Sequence, residues 1–383
     1  MLDMEQFHGR LNDVDHHLQP AVDDYEEVGG EAGRQFADGL RQRYGQHPPE
    51  AEIKLNHILG KESSEFTYET VWNIKGATAP GAYSPEGRLK TLDIMGVRRA
   101  LIFADPSILM HGLMPTELGI STMRHWNDFA LNYNDRDRDR LRVAAILSTW
   151  DTDIAAAEVK RVLDAGAQAF VLASSVAPGD KSPADPGMDP IWAMLSEANV
   201  PALLHIGGER GFLASDAWPR GVPALEFEPQ PFSEGINAYA FSTFHFAPQH
   251  FISMLVLGGV FERFPNLRFG AIEVGAGWLG PLAERLDLIV SLYARRFAPV
   301  LSMKPSEYIR RNIRVSPFFF EPVALYIERH GLEECYCYSS DFPHPEGGFA
   351  PIEAFNREIS RLGQTTAEKF FVSNAEWLLP ALT

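Results

Sequence analysis

Cysteine, long apolar runs and blocks of like charge are scarce in this sequence, and each shortage excludes a class of protein. Only Cys335 and Cys337 occur among 383 residues, so a disulfide framework is excluded. No run of about 18 or more uncharged apolar residues is present, so a transmembrane helix is not expected. The stretch Met1–Gln6 lacks the basic and apolar regions of a secretory signal. We therefore expect a soluble, cytoplasmic protein without a membrane partner.

The charge balance points away from nucleic acid. Thirty-four basic residues oppose 51 acidic ones, which gives a net charge of −17, and no run of five or six like charges occurs. Binding to duplex nucleic acid depends on a basic face that displaces counterions, so nucleic acid is not an expected partner. Apolar residues at 45% and charged residues at 22% are typical of globular chains. A large hydrophobic core is therefore expected.

Several common catalytic signatures are also missing. The sequence contains no Gly-x-Ser-x-Gly, no P-loop, no Cys-x-x-Cys and no His-Glu-x-x-His. Their absence removes the usual signs of a serine hydrolase, a nucleotide-binding loop or a zincin. Any active site must therefore be built from residues that the fold brings together.

Short β-branched or aromatic runs alternate with helical patterns along the chain. This alternation predicts right-handed βαβ units and a parallel sheet, and eight strands fit a (β/α)8 TIM barrel. We expect one domain covering residues 1–383. The predicted strands are Leu11–Asp15, Arg99–Phe103, Arg142–Leu147, Gln168–Ala173, Pro201–Ile206, Leu267–Glu273, Ile313–Phe318 and Cys335–Asp341.

Two stretches exceed what the barrel needs. The polar segment 23–88 separates the first and second strands, and segment 207–243, rich in proline and aromatics, follows the fifth. Both insertions would emerge at the carboxyl-terminal face, where barrel enzymes keep their active sites. We interpret them as lids or oligomer contacts; disordered loops are the alternative.

Residues able to bind metal fall at the ends of four predicted strands. Asp15 and His17 close the first strand and project to the same side, since they are two residues apart. His205 closes the fifth strand, Glu273 the sixth and Asp341 the eighth. Alone, His205 would be interpreted as a hydrogen-bonded structural residue and Asp341 as a helix cap. Because all strand ends meet at one rim, together they predict a site for one divalent ion, zinc or manganese.

The sequence also resembles a known family. The resemblance lies in the stretches Trp126-Asn127-Asp128-Phe129, Leu203–Gly207, Leu257–Leu267, Arg268–Asp287 and Ser339–Pro345. They are similar to the amidohydrolase-related group of the amidohydrolase superfamily, which contains aminocarboxymuconate-semialdehyde, γ-resorcylate and 5-carboxyvanillate decarboxylases. The resemblance implies a TIM barrel with one zinc or manganese ion, a small-molecule substrate and a homodimer.

The resemblance assigns roles to particular residues. It implies that Asp15-x-His17 is a carboxylate variant of the family's first-strand ligand pair, and that His205 is the fifth-strand ligand. It implies that Asp341 both contacts the metal and moves protons. One departure stands out: where the decarboxylases carry His-x-Gly, this chain has Glu273-Val274-Gly275. Glu273 is either a general base, an additional ligand, or the ion-pair partner of an arginine such as Arg210 or Arg314.

Three functions are consistent with these residues. The first is non-oxidative decarboxylation of an aromatic or unsaturated acid, with Asp341 as the proton donor and Arg210 as a carboxylate clamp. Further substrate contacts are expected from Trp278, Phe319, His245 and His344, although His344 could equally orient Asp341 or cap a helix. The second is hydrolysis of an amide, lactone or carbon–carbon bond, in which a metal-activated water loses its proton to Asp341. The third is a binding protein that retains only the scaffold.

Overall fold

The computed structural model describes residues 1–44, 60–209, 211–213, 217–225 and 238–382. It is a (β/α)8 barrel, as the alternation of strands and helices predicts. All neighbouring strand pairs are parallel, in the order β1-β2-β3 and β4-β5-β6-β7-β8. The strands are β1 Leu11–His17, β2 Val97–Phe103, β3 Leu141–Val143, β4 Ala145–Leu147, β5 Phe170–Leu172, β6 Ala202–His205, β7 Phe269–Ile272 and β8 Ile313–Val315.

Helices surround the strands. The α-helices are α1 Tyr25–Tyr44, α2 Tyr68–Asn73, α3 Pro85–Met95, α4 Pro106–Gly112, α5 Glu117–Asn134, α6 Thr152–Asp164, α7 Asp189–Ala198, α8 Ala238–Thr243, α9 Phe246–Leu257, α10 Val260–Arg263, α11 Leu279–Leu292, α12 Ala294–Phe297, α13 Pro305–Asn312, α14 Val323–His330, α15 Pro351–Ile359, α16 Gln364–Glu368 and α17 Asn374–Leu378. A π-helical turn, Lys369–Ser373, links the last two. No helix in the described ranges has the length and apolar character needed to cross a bilayer.

The third predicted strand is divided in two, which corrects the expectation of one strand over Arg142–Leu147. The division falls at Ala144, whose N–H donates to the Ile102 carbonyl of β2 at 2.9 Å, whereas the next N–H, of Ala145, donates to the Ala169 carbonyl before β5 at 2.9 Å. The two halves therefore pair with different neighbours. Together they join the strands β2 and β5 on either side of them.

Helix α5 holds this divided strand in place. The Trp126 indole N–H donates to the Ala144 carbonyl at 2.8 Å. The Asn127 side chain accepts from the Ile146 N–H at 2.7 Å and donates to the Ile146 carbonyl at 3.1 Å. Both side chains are fully buried. Hydrogen bonds from the helix thus replace part of the strand ladder.

Residues 335–342, the closing segment, complete the barrel. On one side, the Val315 N–H of β8 donates to the Cys335 carbonyl at 2.8 Å. On the other, the His17 N–H of β1 donates to the Phe342 carbonyl at 2.7 Å. Only isolated bridges form here, at Tyr336 and Phe342. The eighth predicted strand is therefore an extended segment, because its contacts are too few for a regular ladder.

The sequence explains how a typical outer helix packs. Asp151 caps α6 by accepting from the N–H groups of Asp153 and Ile154. Ala155, Val159 and Val162 recur at helical spacing and are fully buried against the strands. Gly166, at φ 96°, follows the end of α6 and turns the chain away from the helix. The strands β4, β5 and β7 are buried and apolar throughout, as is typical of a parallel barrel.

The first predicted insertion, 23–88, is largely ordered where it is described. It contains α1, α2 and the beginning of α3, and Val28, Val71 and Trp72 are buried in the core. It therefore packs on the barrel, and the described parts are not the disordered loop considered as the alternative. Within the second predicted insertion, 207–243, Arg210 lies outside the described residues.

Candidate metal centre

The strand-end residues come together at the carboxyl-terminal end of the barrel. Asp15 and His17 end β1, His205 ends β6, Glu273 follows β7, and Asp341 lies in the closing segment. Each is at most 4% exposed. The structure thus brings five ionisable side chains from distant parts of the chain into one buried cluster.

Short distances join the two imidazoles to the three carboxylates. His17 Nε2 lies 3.3 Å from Asp15 Oδ1, 3.4 Å from Glu273 Oε2 and 3.3 Å from Asp341 Oδ1. His205 Nε2 lies 3.4 Å from Asp15 Oδ1 and 3.2 Å from Glu273 Oε2. Ligand atoms of Asp15, His17, His205 and Glu273 all lie within 4.8 Å of one another.

The hydrogen bonding of this cluster fits a divalent cation. Within the described part of the chain, three buried atoms have no hydrogen-bond partner: both ring nitrogens of His17 and Asp341 Oδ2. Buried polar atoms rarely remain unsatisfied. His205 Nδ1 lies 3.0 Å from the Ile206 carbonyl. It therefore carries the proton, so Nε2 keeps its lone pair for a ligand role. Imidazole and carboxylate donors are the usual ligands of zinc and manganese.

The charges in the cluster are strongly coupled. Burial raises the pKa of Asp15, but the closeness and charge of His17 and His205 outweigh burial and lower that pKa to about 2. Burial lowers the pKa of His17, but the carboxylates of Asp15 and Asp341 outweigh it and raise that pKa to about 10. Without a metal, a protonated His17 therefore occupies the centre of the cluster and balances part of its negative charge.

Two of the carboxylate residues have an unusual backbone. Glu273 has φ 55° and Asp341 has φ 53°, the left-handed region that favours glycine. Such a conformation costs about 1–3 kcal/mol and persists only where the surroundings enforce it. Part of that enforcement is visible at Glu273, whose N–H donates to Ser316 Oγ at 2.9 Å. This strained backbone conformation directs both carboxylate side chains into the cluster.

A chain of buried and half-buried polar groups supports Asp341. Its Oδ1 accepts a hydrogen bond from His344 Nδ1 at 2.9 Å. The Gln19 amide donates to His344 Nε2 at 3.2 Å and to Asp105 Oδ2 at 3.0 Å. The Tyr25 hydroxyl also donates to Asp105 Oδ2, at 3.0 Å. His344 is therefore held in the tautomer that donates to Asp341, one of the roles considered for it from the sequence.

A cavity adjoins the cluster. Aromatic, serine and carboxylate side chains share its wall, which combines an apolar surface with hydrogen-bonding groups. Phe319, a predicted substrate contact, is part of this wall. The lining residues are Asp15, Glu273, Ser316, Pro317, Phe318, Phe319, Ser339, Ser340, Asp341 and Gly347.

Other predicted site residues lie elsewhere. Trp278 is buried, and its indole N–H donates to the carbonyls of Val274 and Gly275 at 3.1 and 2.8 Å. His245 is half-buried, and its ring packs against Phe244 and Phe246.

The ion pair considered between Glu273 and Arg314 does not form. The Arg314 guanidinium stacks 3.9 Å from the centre of the Trp377 ring and donates to the carbonyls of Arg310 and Ile313. Arg210, the other arginine considered for this pair and the predicted carboxylate clamp, lies outside the described residues.

Comparison with known proteins adds a family and a fold. A family model described as amidohydrolase matches residues 99–381. An amidohydrolase from Mycobacterium avium subsp. paratuberculosis K-10 has a similar structure, with a TM-score of 0.71, 20% identity and coverage of 98% of both chains. A 2,6-dihydroxybenzoate decarboxylase from Rhizobium gives a TM-score of 0.61 at 15% identity, covering 96% of this chain and 98% of the other.

A third similar structure contains a metal. It is a 5-carboxyvanillate decarboxylase from Novosphingobium aromaticivorans complexed with manganese and 4-hydroxy-3-methoxy-5-nitrobenzoic acid. Its TM-score is 0.59 at 17% identity, with 97% of this chain and 96% of the other covered. No curated protein sequence matches the chain. At these identities the similarity establishes the fold but not the substrate.

Proposed function

The chain belongs to the amidohydrolase family and is an enzyme of that superfamily, and on this premise we propose that it is a metal-dependent, non-oxidative decarboxylase of an aromatic or unsaturated carboxylic acid. The observation that carries this proposal is the hydrogen bonding of the Asp341 carboxylate. One of its oxygens accepts from His344, and the other, Oδ2, has no hydrogen-bond partner in the described chain and belongs to a residue of the cavity wall. Burial raises the pKa of Asp341, but His344 and His17 outweigh burial and hold that pKa below its ordinary value, so this carboxylate would first accept a proton from the substrate and then deliver it to a substrate carbon.

We propose that Asp15, His17, His205 and Asp341 hold one zinc or manganese ion. When bound, the ion supplies Lewis-acid polarisation of a substrate oxygen. Three carboxylates, counting Glu273, make the donor set rich in oxygen, which favours manganese over softer ions. Manganese is also the ion in the similar 5-carboxyvanillate decarboxylase.

The remaining roles follow from side chains beside the cavity. Phe318 and Phe319 offer an apolar wall for a planar acid. We assign Asp341 Oδ2 to proton transfer and His344 to holding the Asp341 carboxyl in one orientation. Arg210 and His245 remain proposed substrate contacts. The Trp278 indole N–H is engaged by two backbone carbonyls, so we assign this residue to shaping the loop after β7 instead.

Hydrolysis of an amide, lactone or carbon–carbon bond is the second candidate, and Glu273 is the observation that favours it. Its carboxylate oxygen lies 3.4 and 3.2 Å from the facing nitrogens of His17 and His205, at the strand end where the resembled decarboxylases carry a histidine. In this reaction Glu273, or Asp341, would remove the proton of the attacking water, and the same carboxyl group would then pass that proton to the leaving group.

The first experiment measures bound metal. Wild-type protein, H205A and the control H8A, which alters an exposed histidine, are stripped with a chelator and reloaded with Mn²⁺ or Zn²⁺. Inductively coupled plasma mass spectrometry then counts the bound ions. We expect about one ion per chain in the wild type and H8A, and none in H205A. A folded wild-type protein that takes up neither ion would refute both candidate functions.

The second experiment distinguishes the two reactions. Reloaded and metal-free protein are incubated with a panel of hydroxylated benzoic acids, and CO2 and the decarboxylated product are measured together. A parallel panel contains aryl amides, lactones and β-diketones. Metal-dependent CO2 release supports decarboxylation. Cleavage in the second panel, with the acids left intact, overturns decarboxylation in favour of hydrolysis.

A further inference from the structure

Behind the metal-binding strand β1 lies a second buried polar network, formed by Arg88, His16 and Asp13. All three residues are fully buried. Arg88 belongs to α3, at the end of the first insertion, so it comes from outside the strands that form the barrel. None of these residues touches the cavity. The network needs an explanation, because a buried guanidinium and a buried carboxylate are each expensive to desolvate.

Arg88 uses all its nitrogens to hold the backbone and His16. Its Nε donates to the Gly81 carbonyl at 2.7 Å, and Nη2 donates to the carbonyls of Ala82 at 2.9 Å and His17 at 2.5 Å. Nη1 donates to His16 Nδ1 at 2.9 Å. The guanidinium therefore binds directly to the backbone of the ligand His17.

His16 connects Arg88 to Asp13 by hydrogen bonds. Since Nδ1 accepts from Arg88, the imidazole proton resides on Nε2, which lies 3.1 Å from Asp13 Oδ2. The other carboxylate oxygen, Oδ1, accepts from the N–H of Asp15 at 3.1 Å and from the N–H of Ser340 at 3.0 Å. One of these amides belongs to a ligand, and the other belongs to the residue before the ligand Asp341.

The network also reaches the other side of Asp341. The Arg88 guanidinium carbon lies 5.0 Å from the centre of the Phe342 ring. The carbonyl of Phe342 accepts from the His17 N–H at 2.7 Å. Asp341, with its left-handed backbone, is thus fixed through the residue on each side of it. A strained conformation of this kind persists only when its neighbours enforce it.

We propose that Arg88 and Asp13 are positioning residues of the metal centre: through the backbone of Asp15, His17 and Ser340 they set the separation between β1 and the closing segment. The inference rests on the proposed metal site but adds residues that contact neither metal nor substrate. Outer groups that orient ligands typically change metal affinity by roughly 10- to 100-fold when replaced.

The test compares buried arginines at two places. In R88K the charge is kept but the fork that holds His16 and the His17 carbonyl is lost. The control R99K changes an equally buried arginine of β2, which binds Asp139 and not the cluster. D13N is the second variant, in case R88K does not fold. For each folded protein we would measure the Kd for Mn²⁺ by competition with a chromophoric chelator, and the visible d–d spectrum of the Co²⁺ form.

We expect R88K and D13N to weaken Mn²⁺ binding by roughly 10- to 100-fold and to alter the Co²⁺ spectrum, while R99K keeps both within twofold of wild type. A purely structural network would lower the Tm of R88K and D13N and leave their Kd and spectrum unchanged; that result overturns the inference. If the wild type itself binds no metal, the proposed function fails instead, so the two failures are distinguishable.

Discussion

Metal binding is expected to release a proton from His17. In the metal-free protein the pKa of His17 is about 10, because it lies between the carboxylates of Asp15 and Asp341. A metal ligand must be deprotonated, so an incoming ion competes with this proton. At pH 7 the competition weakens the apparent affinity by about a thousandfold, or about 4 kcal/mol. The apparent Kd should therefore tighten about tenfold for each unit of pH above 7.

Isothermal titration calorimetry with Mn²⁺ measures this effect. Titrations at one pH in two buffers of different ionisation enthalpy count the released protons, and titrations from pH 7.0 to 8.5 give the slope of log Kd. We expect about one proton per ion and a total tightening of about 30-fold. A Kd that is unchanged over this range, with no proton released, would refute the assignment of a protonated His17.

The same group predicts how the metal-free protein responds to pH. The pKa of His17 is raised in the folded state from 6.5 to about 10. Its stabilising contribution is therefore complete below pH 6.5 and is lost as the pH rises to 10. The free energy of unfolding of the metal-free protein should fall between pH 6.5 and 8, below the range in which Lys75 titrates, and metal loading should remove that fall.

Three further predictions concern supporting residues, each measured by urea unfolding. Asn127→Ala leaves the Ile146 amide and carbonyl without partners and should lower the free energy of unfolding by about 3 kcal/mol; no loss would contradict the role of α5. Burial lowers the pKa of Lys75 to about 8, so the stability of the wild type relative to Lys75→Met should rise from pH 8 to 10. Glu321→Ala removes the acceptor of three backbone N–H groups, including that of Phe318, and should destabilise the metal-free and loaded protein equally.

The strand-end residues were predictable because polar groups are unusual at those positions. An ionisable residue such as His205 at the end of an apolar run stands out against its neighbours, and the topology of a parallel barrel then places all such ends at one rim. No knowledge of the side-chain contacts is needed for that step. Only the resemblance to the family assigned separate roles to Asp341 and Glu273.

The supporting residues could not be found in this way. Gln19 and Asp105 are connected to Asp341 through His344. Arg88 reaches β1 from a segment that looks like a polar loop in the sequence. Asp105 follows β2, so the same search of strand ends would have included it. Nothing local distinguishes Gln19 or Arg88 from surface residues, because their partners lie far away along the chain.

The division of the third strand was missed for a related reason. Arg142–Leu147 is an unbroken run that suits a single strand. Trp126 and Asn127 of α5 take up backbone groups of Ala144 and Ile146 that a continuous ladder would use. Both residues belong to the motif that indicated the family. Local propensity cannot detect such a change, since the decisive hydrogen bonds come from another element.

The junction at which β1 meets the closing segment, here called the seam, has a consequence for folding. Asp15 and His17 lie on one side of this seam and Asp341 on the other, and few backbone bonds cross it. An ion held by all three would act as a cross-link between the first and last segments of the barrel, which bind each other late because they are far apart along the chain. Metal should therefore slow unfolding more than it speeds folding, because Asp341 joins the other ligands only once the barrel has closed.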